Sequence, residues 1–233
     1  MAPIRNYTNW NKRPSDKLAQ IEPYRKYVFI CEGANTETWY FEHLIDIKKD
    51  LNIKPTIFLE LWEKTEADRD ISYPRKLIEF ANEKKCDKTL DFDPDHDKMI
   101  IIFDADIYEA KALGYDETVE LGEKDNTLGV TNPNFELFLL LHFPDAYETI
   151  IKPHAGELLE NKKTGNQRYS YSLLLSLTGI NSKTNDDIGN LADNVLTAIA
   201  EEKHLNQDIH QCLGQLTCNI GSIIEGIIED RLN

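Results

Sequence analysis

The run Met99-Ile100-Ile101-Ile102-Phe103-Asp104-Ala105-Asp106 restricts the fold more than any other stretch of the chain. Five consecutive apolar residues, mostly β-branched, lead straight into two carboxylates, the pattern of a strand buried on both faces whose exit carries charge. Such a strand belongs to an open α/β sheet, and its carboxyl end faces the ligand crevice. Side chains alternate along an extended chain, so Asp104 and Asp106 are expected on one side with Ala105 on the other. Two carboxylates held together repel each other unless a proton, a basic side chain or a cation lies between them. Hard oxygen donors suit Mg²⁺ or, in its place, Mn²⁺.

The segments before this strand have the rhythm of a parallel sheet. Tyr27–Cys31 is a first buried strand ending at Glu32-Gly33. Gly33 allows a tight turn, and Asn35 or Thr36 caps a helix that carries Tyr40, Leu44, Ile47 and Leu51 on one face. Glu37, in the first turn, complements the helix dipole. Glu32 directly follows a buried strand, and a carboxylate there needs a partner. Thr56–Trp62 reads as a second strand and Tyr73–Lys85, after a charged loop, as a helix. The order strand, helix, strand, helix, strand predicts right-handed crossovers that bring Glu32 to the same sheet edge as Asp104 and Asp106.

Beyond Asp106 a helical segment to Glu123 precedes a fourth strand, Leu128–Thr131. Asn132 then caps a helix, with Pro133 at its first position. That helix, Asn134–Phe143, is apolar on nearly every side and must be buried. Its exceptions are Glu136 and His142. Glu136 is either a fourth acid of the site or the partner of a buried Arg or Lys; His142 is a hydrogen-bonded core histidine more readily than a ligand. From Lys152 onward strands are expected to disappear in favour of helices over 157–163, 171–177, 188–200 and 220–228. The expected organisation is a basic arm over 1–22, an α/β domain over 23–150 and a helical extension over 151–233. The arm, with Arg5, Lys12, Arg13 and Lys17, is a phosphate or partner clamp or a loose terminus. Lys152, His154, Lys162, Lys163 and Arg168 form a basic corner, a second place for phosphate contacts or a solvated face.

A formal net charge of −15 argues against simple electrostatic binding of a polyanion. It does not exclude a nucleic-acid substrate, because carboxylates that hold metal ions add to the negative count. Cys31, Cys86, Cys212 and Cys218 form no C-x-x-C pair, and no signal peptide opens the chain, so reduced thiols and a cytoplasmic location are expected. No apolar run reaches the length of a membrane span. Neither a Gly-rich phosphate loop nor zinc-ligand spacing is present.

Three stretches together resemble the RloB family of abortive-infection proteins, which is similar in fold to Toprim domains. They are Cys31-Glu32-Gly33-Ala34-Asn35-Thr36-Glu37-Thr38-Trp39-Tyr40-Phe41, Phe103-Asp104-Ala105-Asp106, and Thr131-Asn132-Pro133-Asn134-Phe135-Glu136 through Phe143. Thr131 stands where the family pattern has serine, and Phe138 where it has tryptophan. The resemblance implies a Toprim-like sheet, Glu32 as general acid or base, Asp104 and Asp106 as magnesium ligands, and a role in phage defence beside an ATPase. The leading expectation is therefore a metal-dependent nuclease acting on DNA or RNA, with Glu32, Asp104, Asp106 and Glu136 around Mg²⁺. The alternative is a non-catalytic subunit that docks on an ATPase. A third reading, phosphoacceptor chemistry on Asp104, asks for a lysine after a later strand, and none is evident.

Overall fold

The computed structural model describes residues 25–62, 73–109 and 114–231. The basic arm over 1–22 and most of the charged loop after the second strand lie outside the described residues. In chain order the elements are β1 (Arg25–Cys31), α1 (Thr36–Asp46), β2 (Ile57–Leu61), α2 (Pro74–Lys85), β3 (Lys98–Asp104), α3 (Asp106–Glu109), α4 (Tyr115–Glu123), β4 (Thr127–Asn132) and α5 (Phe135–Leu140). There follow α6 (Ala155–Glu160), β5 (Lys163–Thr164), β6 (Gln167–Arg168), α7 (Tyr169–Thr178), α8 (Val195–Glu202), β7 (Thr217–Cys218) and α9 (Ile220–Ile228).

The apolar run of β3 does what its composition requires. Met99, Ile101 and Phe103 point into one core with Val28, Ile30, Leu77 and Val119. Ile100 and Ile102 point into the other with Phe29, Phe41, Phe135 and Ile224. Strands β2, β1, β3 and β4 are parallel neighbours in that order, and β7 closes the sheet antiparallel to β4. The result is a mixed α/β protein with a five-stranded, mostly parallel sheet and nine α-helices among the described residues. The core on the α1 face draws on both sides of residue 150, joining Phe135 and Leu140 to Leu174, Val195 and Ile224.

Four local expectations are corrected. Strands do not end at Lys152: a hairpin, β5–β6, carries Arg168, and the two residues of β7 pair with Thr131 and Asn132. Asn132 is the last residue of β4 rather than a helix cap; its Nδ2 donates to Glu109 Oε1 and to the carbonyls of Cys212 and Gln215. Asn35 and Thr36 do not cap α1 through their side chains. They donate to the carbonyls of Lys183 and Ser182, at 2.9 and 2.7 Å, and so bind the 181–184 loop to the start of α1. The helix expected over 188–200 divides into a 3₁₀ stretch, Asp186–Asn194, and α8.

Gly189 explains how the 3₁₀ stretch lies so close to α1. A Cβ there would stand 2.5 Å from the backbone oxygen of Trp39. Backbone cannot swing aside as a side chain can, so Gly189→Ala is expected to destabilise the fold by about 1–3 kcal/mol in urea unfolding. A variant as stable as the parent would show that this contact is slack.

Candidate functional site

β1 and β3 end side by side, and this is what brings the acids together. Glu32, one residue beyond β1, donates its N–H to the Ile102 carbonyl at 2.9 Å, which continues the ladder into the crevice. Its Oε2 accepts the Asp104 N–H at 3.2 Å. Asp104 in turn faces Thr131 across the β3–β4 register, and the Thr131 hydroxyl donates to Asp104 Oδ1 at 2.7 Å. The threonine that stands in place of serine thus keeps the hydroxyl this contact needs.

Burial pushes the Asp104 carboxyl well above the usual carboxylate range, and Glu37, Glu32 and Glu136 push it further, against the Thr131 hydrogen bond. Glu37 is the acid that sequence reasoning set aside as a dipole partner. It is buried, 7% exposed, and acts on Asp104 more strongly than Glu32 does. Its carboxylate lies directly over Gly33, where a Cβ would collide with it. Gly33 therefore serves close approach. The signal was the E-G-x-x-x-E spacing, which a turn and a helix cap explained too easily.

Asp106 reaches the site differently from the alternation expected. The strand stops at Asp104, and Asp106 opens α3. Both line one cavity with Glu136 and Arg168, but Arg168 Nη2 sits 2.8 Å from Asp106 Oδ2. Burial raises the Asp106 carboxyl while Arg168 opposes it. Of the basic corner, Arg168 makes an ion pair in the site and Lys163 acts on Asp106 through its charge; Lys152 pairs with Glu148, Lys162 with Glu160, and His154 with the Tyr169 hydroxyl.

Glu136, buried at the start of α5, pairs with a lysine, though an exposed one rather than the buried cation expected. Lys183 Nζ stands 2.7 Å from its Oε1, and its charge acts on Asp104. Burial would lower the Lys183 ammonium, but Glu136, Glu37 and Asp104 outweigh it and hold it above its ordinary value. Lys183 was missed because it lies in a loop placed by long-range contacts, from Asn35 and Thr36 to its carbonyls and from Ser182 to Glu136. Lys183 follows α7 and not a strand, so it is not the lysine after a later strand that phosphoacceptor chemistry at Asp104 asked for.

His142 is structural. It is 2% exposed, its Nε2 lies 2.8 Å from the Tyr40 hydroxyl and its Nδ1 3.0 Å from the Phe138 carbonyl. Burial depresses it to about 4. A histidine whose folded-state pKa lies below its unfolded value near 6.5 contributes stability above pH 6.5 that is lost as pH falls to 4. That contribution, about 3 kcal/mol, is expected as a difference in unfolding free energy between the parent and His142→Gln that shrinks across this window. A constant difference would contradict it.

The donor types suit a hard divalent cation in their chemistry: the carboxylates of Glu37, Glu32 and Glu136 all act on the buried carboxyl of Asp104. It is not a preformed metal centre. Among the described residues no three His, Cys, Asp or Glu gather as metal ligands, and Asp106 and Glu136 each lie on a cation. Among the same residues no helix is long and apolar enough to cross a membrane, and the four cysteines are free thiols.

Sheet and site together define a mixed α/β protein with an acidic crevice at the carboxyl ends of its parallel strands. A family model for RloB-like proteins matches residues 27–228, most of the chain and both sides of the crevice. The chain belongs to the RloB-like protein family. No curated protein and no solved structure matches it.

Proposed function

We propose that this chain is a metal-dependent nuclease of antiviral defence, with a Toprim-like sheet, that hydrolyses phosphodiester bonds of DNA or RNA. One observation carries the reading: the Glu32 carboxylate, one residue beyond β1, accepts the backbone N–H of Asp104 at the end of β3, and the charges of Glu37, Glu32 and Glu136 all act on the Asp104 carboxyl. Such a concentration of buried acid costs stability and is characteristic of sites with a chemical task. Glu32, Asp104, Asp106 and Glu136 would hold Mg²⁺ or Mn²⁺. Bound there, the ion would polarise the scissile phosphate and lower the pKa of the attacking water. Glu32, in the position that the family resemblance assigns to the general acid or base, would take that water's proton; its Oε2 also accepts the Asp104 N–H, while Asp104 accepts the Thr131 hydroxyl and Asp106 pairs with Arg168. The water oxygen forms the new P–O bond, the bond to the leaving alcohol breaks, and that alcohol takes up a proton.

The test is cleavage of labelled single-stranded DNA, duplex DNA and RNA with Mg²⁺ or Mn²⁺. The parent is expected to cut at least one of them and Glu32→Gln none. No cleavage of any substrate with either ion would sink the nuclease reading. The second reading, a subunit of an ATPase-containing defence complex, draws support from the cations on Asp106 and Glu136. It predicts co-purification with an ATPase that survives Glu32→Gln.

A further inference from the structure

The acidic crevice continues into a cavity of about 390 Å³ between the start of α5 and the chain that runs from β6 through α7 to the 181–184 loop. Its lining includes three carboxamides, Asn166, Gln167 and Asn181, and Tyr171. Asn134, in the same lining, is 8% exposed, and its Oδ1 has no hydrogen-bond partner among the described residues. A buried amide oxygen left without a donor is unfavourable, so its retention in a cavity wall asks for a ligand that completes it.

We propose that this cavity takes one nucleotide of a single-stranded nucleic acid, its phosphate held by Arg168 and Lys183 and its base against the carboxamide wall. The proposal rests on the nuclease reading and names the substrate class of that site. Arg168 and Lys183 are backed by Asp106 and Glu136 but keep 42% and 56% of their side-chain surface exposed. Each ion pair uses part of a fork of five donors or an ammonium of three, and the rest can face phosphate oxygens. Two partly exposed cations in the lining also answer how an anion enters a crevice in a chain of net charge −15.

The base end of the cavity argues for a single strand. A carboxamide offers a donor and an acceptor side by side, the complement of a base edge. In a duplex the Watson–Crick edges are already paired and the bases stacked, so these amides would have little to read. The volume lies near the lower end of small-ligand clefts, roughly 300–1,000 Å³, which admits one extruded nucleotide and not a helix. Tyr171, in the same lining, supplies a ring for the base.

The test is fluorescence anisotropy in EDTA, where nothing is cut, with labelled twelve-residue DNA and RNA single strands, the matching blunt duplex, and 5′-AMP as competitor. Single strands are expected to bind at least about 10-fold tighter than the duplex. Arg168→Ala and Lys183→Ala are each expected to weaken them by about 10-fold, with Arg168→Lys between. Asn166→Ala and Gln167→Ala are expected to flatten the preference among homopolymers, with unchanged thermal melting. Equal binding of duplex and single strand, displacement by 5′-AMP as efficient as by the strand, or no effect of the Arg168 and Lys183 variants would overturn the proposal. The two readings fail separately. Tight single-strand binding with no cleavage on adding Mn²⁺ removes the nuclease and keeps the cavity, whereas cleavage without single-strand preference does the reverse.

Discussion

Asp104→Asn is expected to lose phosphodiester cleavage by about 10³-fold or more while making the metal-free protein more stable. The two effects have one cause. In EDTA the folded Asp104 carboxyl is raised well above its ordinary value by burial and by Glu37, Glu32 and Glu136. A raised carboxyl contributes stability that is complete at acid pH and is lost as pH rises, so at neutral pH the parent carries an unfavourable ionisation. Asparagine fixes the neutral form, and its Oδ1 can still accept the Thr131 hydroxyl. A gain of about 0.5–2 kcal/mol is the usual size when a strained functional group is removed. Mn²⁺ should reverse the order. Saturation to 100 times Kd stabilises a binding-competent fold by about 2.7 kcal/mol, and the variant should gain far less. Thermal melting with and without Mn²⁺, beside the cleavage assay, reads all of this. A variant less stable than the parent in EDTA, or one that keeps the full Mn²⁺ shift, would contradict the assignment of Asp104 as the centre of the acid cluster.

Glu202→Ala is expected to cost about 3–5 kcal/mol near pH 4.5, the largest stability effect foreseen for one side chain. Glu202 ends α8, is 0% exposed, and accepts the N–H groups of Gly221 and Ser222 at 2.6 and 2.8 Å. These are two of the first N–H groups of α9, whose own preceding residue, Asn219, makes no side-chain cap. Gln207 Nε2 and the Cys218 thiol donate to the same carboxyl, at 3.1 and 3.0 Å. A carboxylate from one helix thus satisfies the amino terminus of another and anchors β7 beside it. Truncation leaves these donors buried without partners.

The pH dependence supplies an independent check. Burial raises the Glu202 carboxyl to about 7 against the pull of its four donors. Its contribution is therefore complete below about pH 4.5 and falls by about 3 kcal/mol as pH rises to 7. His142 changes in the opposite sense over an overlapping window. In the parent the two slopes oppose each other; relative to the parent, Glu202→Gln should shift the slope of stability with pH between 4.5 and 6.5 upward, and His142→Gln should shift it downward. Urea unfolding at several pH values decides, and identical slopes in the two variants would refute both assignments.

Much of the scaffold was legible because a strand covered on both faces must be apolar at every position. Tyr27–Cys31 and Met99–Phe103 could hardly be anything else, and their ends marked Glu32 and Asp104 as neighbours. Periodicity also found α2, α9 and the buried α5. It missed β7, because two residues hold no period, and it misread Asn132 and Asn35, because a cap and a long-range donor have the same local sequence. Glu37 was overlooked for the same reason: an acid in the first turn of a helix already had an ordinary explanation.

The sequence by itself determined that carboxylates would stand at the ends of adjacent parallel strands, since alternation, apolar runs and crossover handedness act locally and are written in local composition. Only the tertiary structure decided their charge balance. Arg168 comes to Asp106 on a hairpin, and Lys183 to Glu136 on a loop tied down by Asn35 and Thr36. Which distant cation meets which acid depends on how loops close over a packed core, and no short stretch of residues records that.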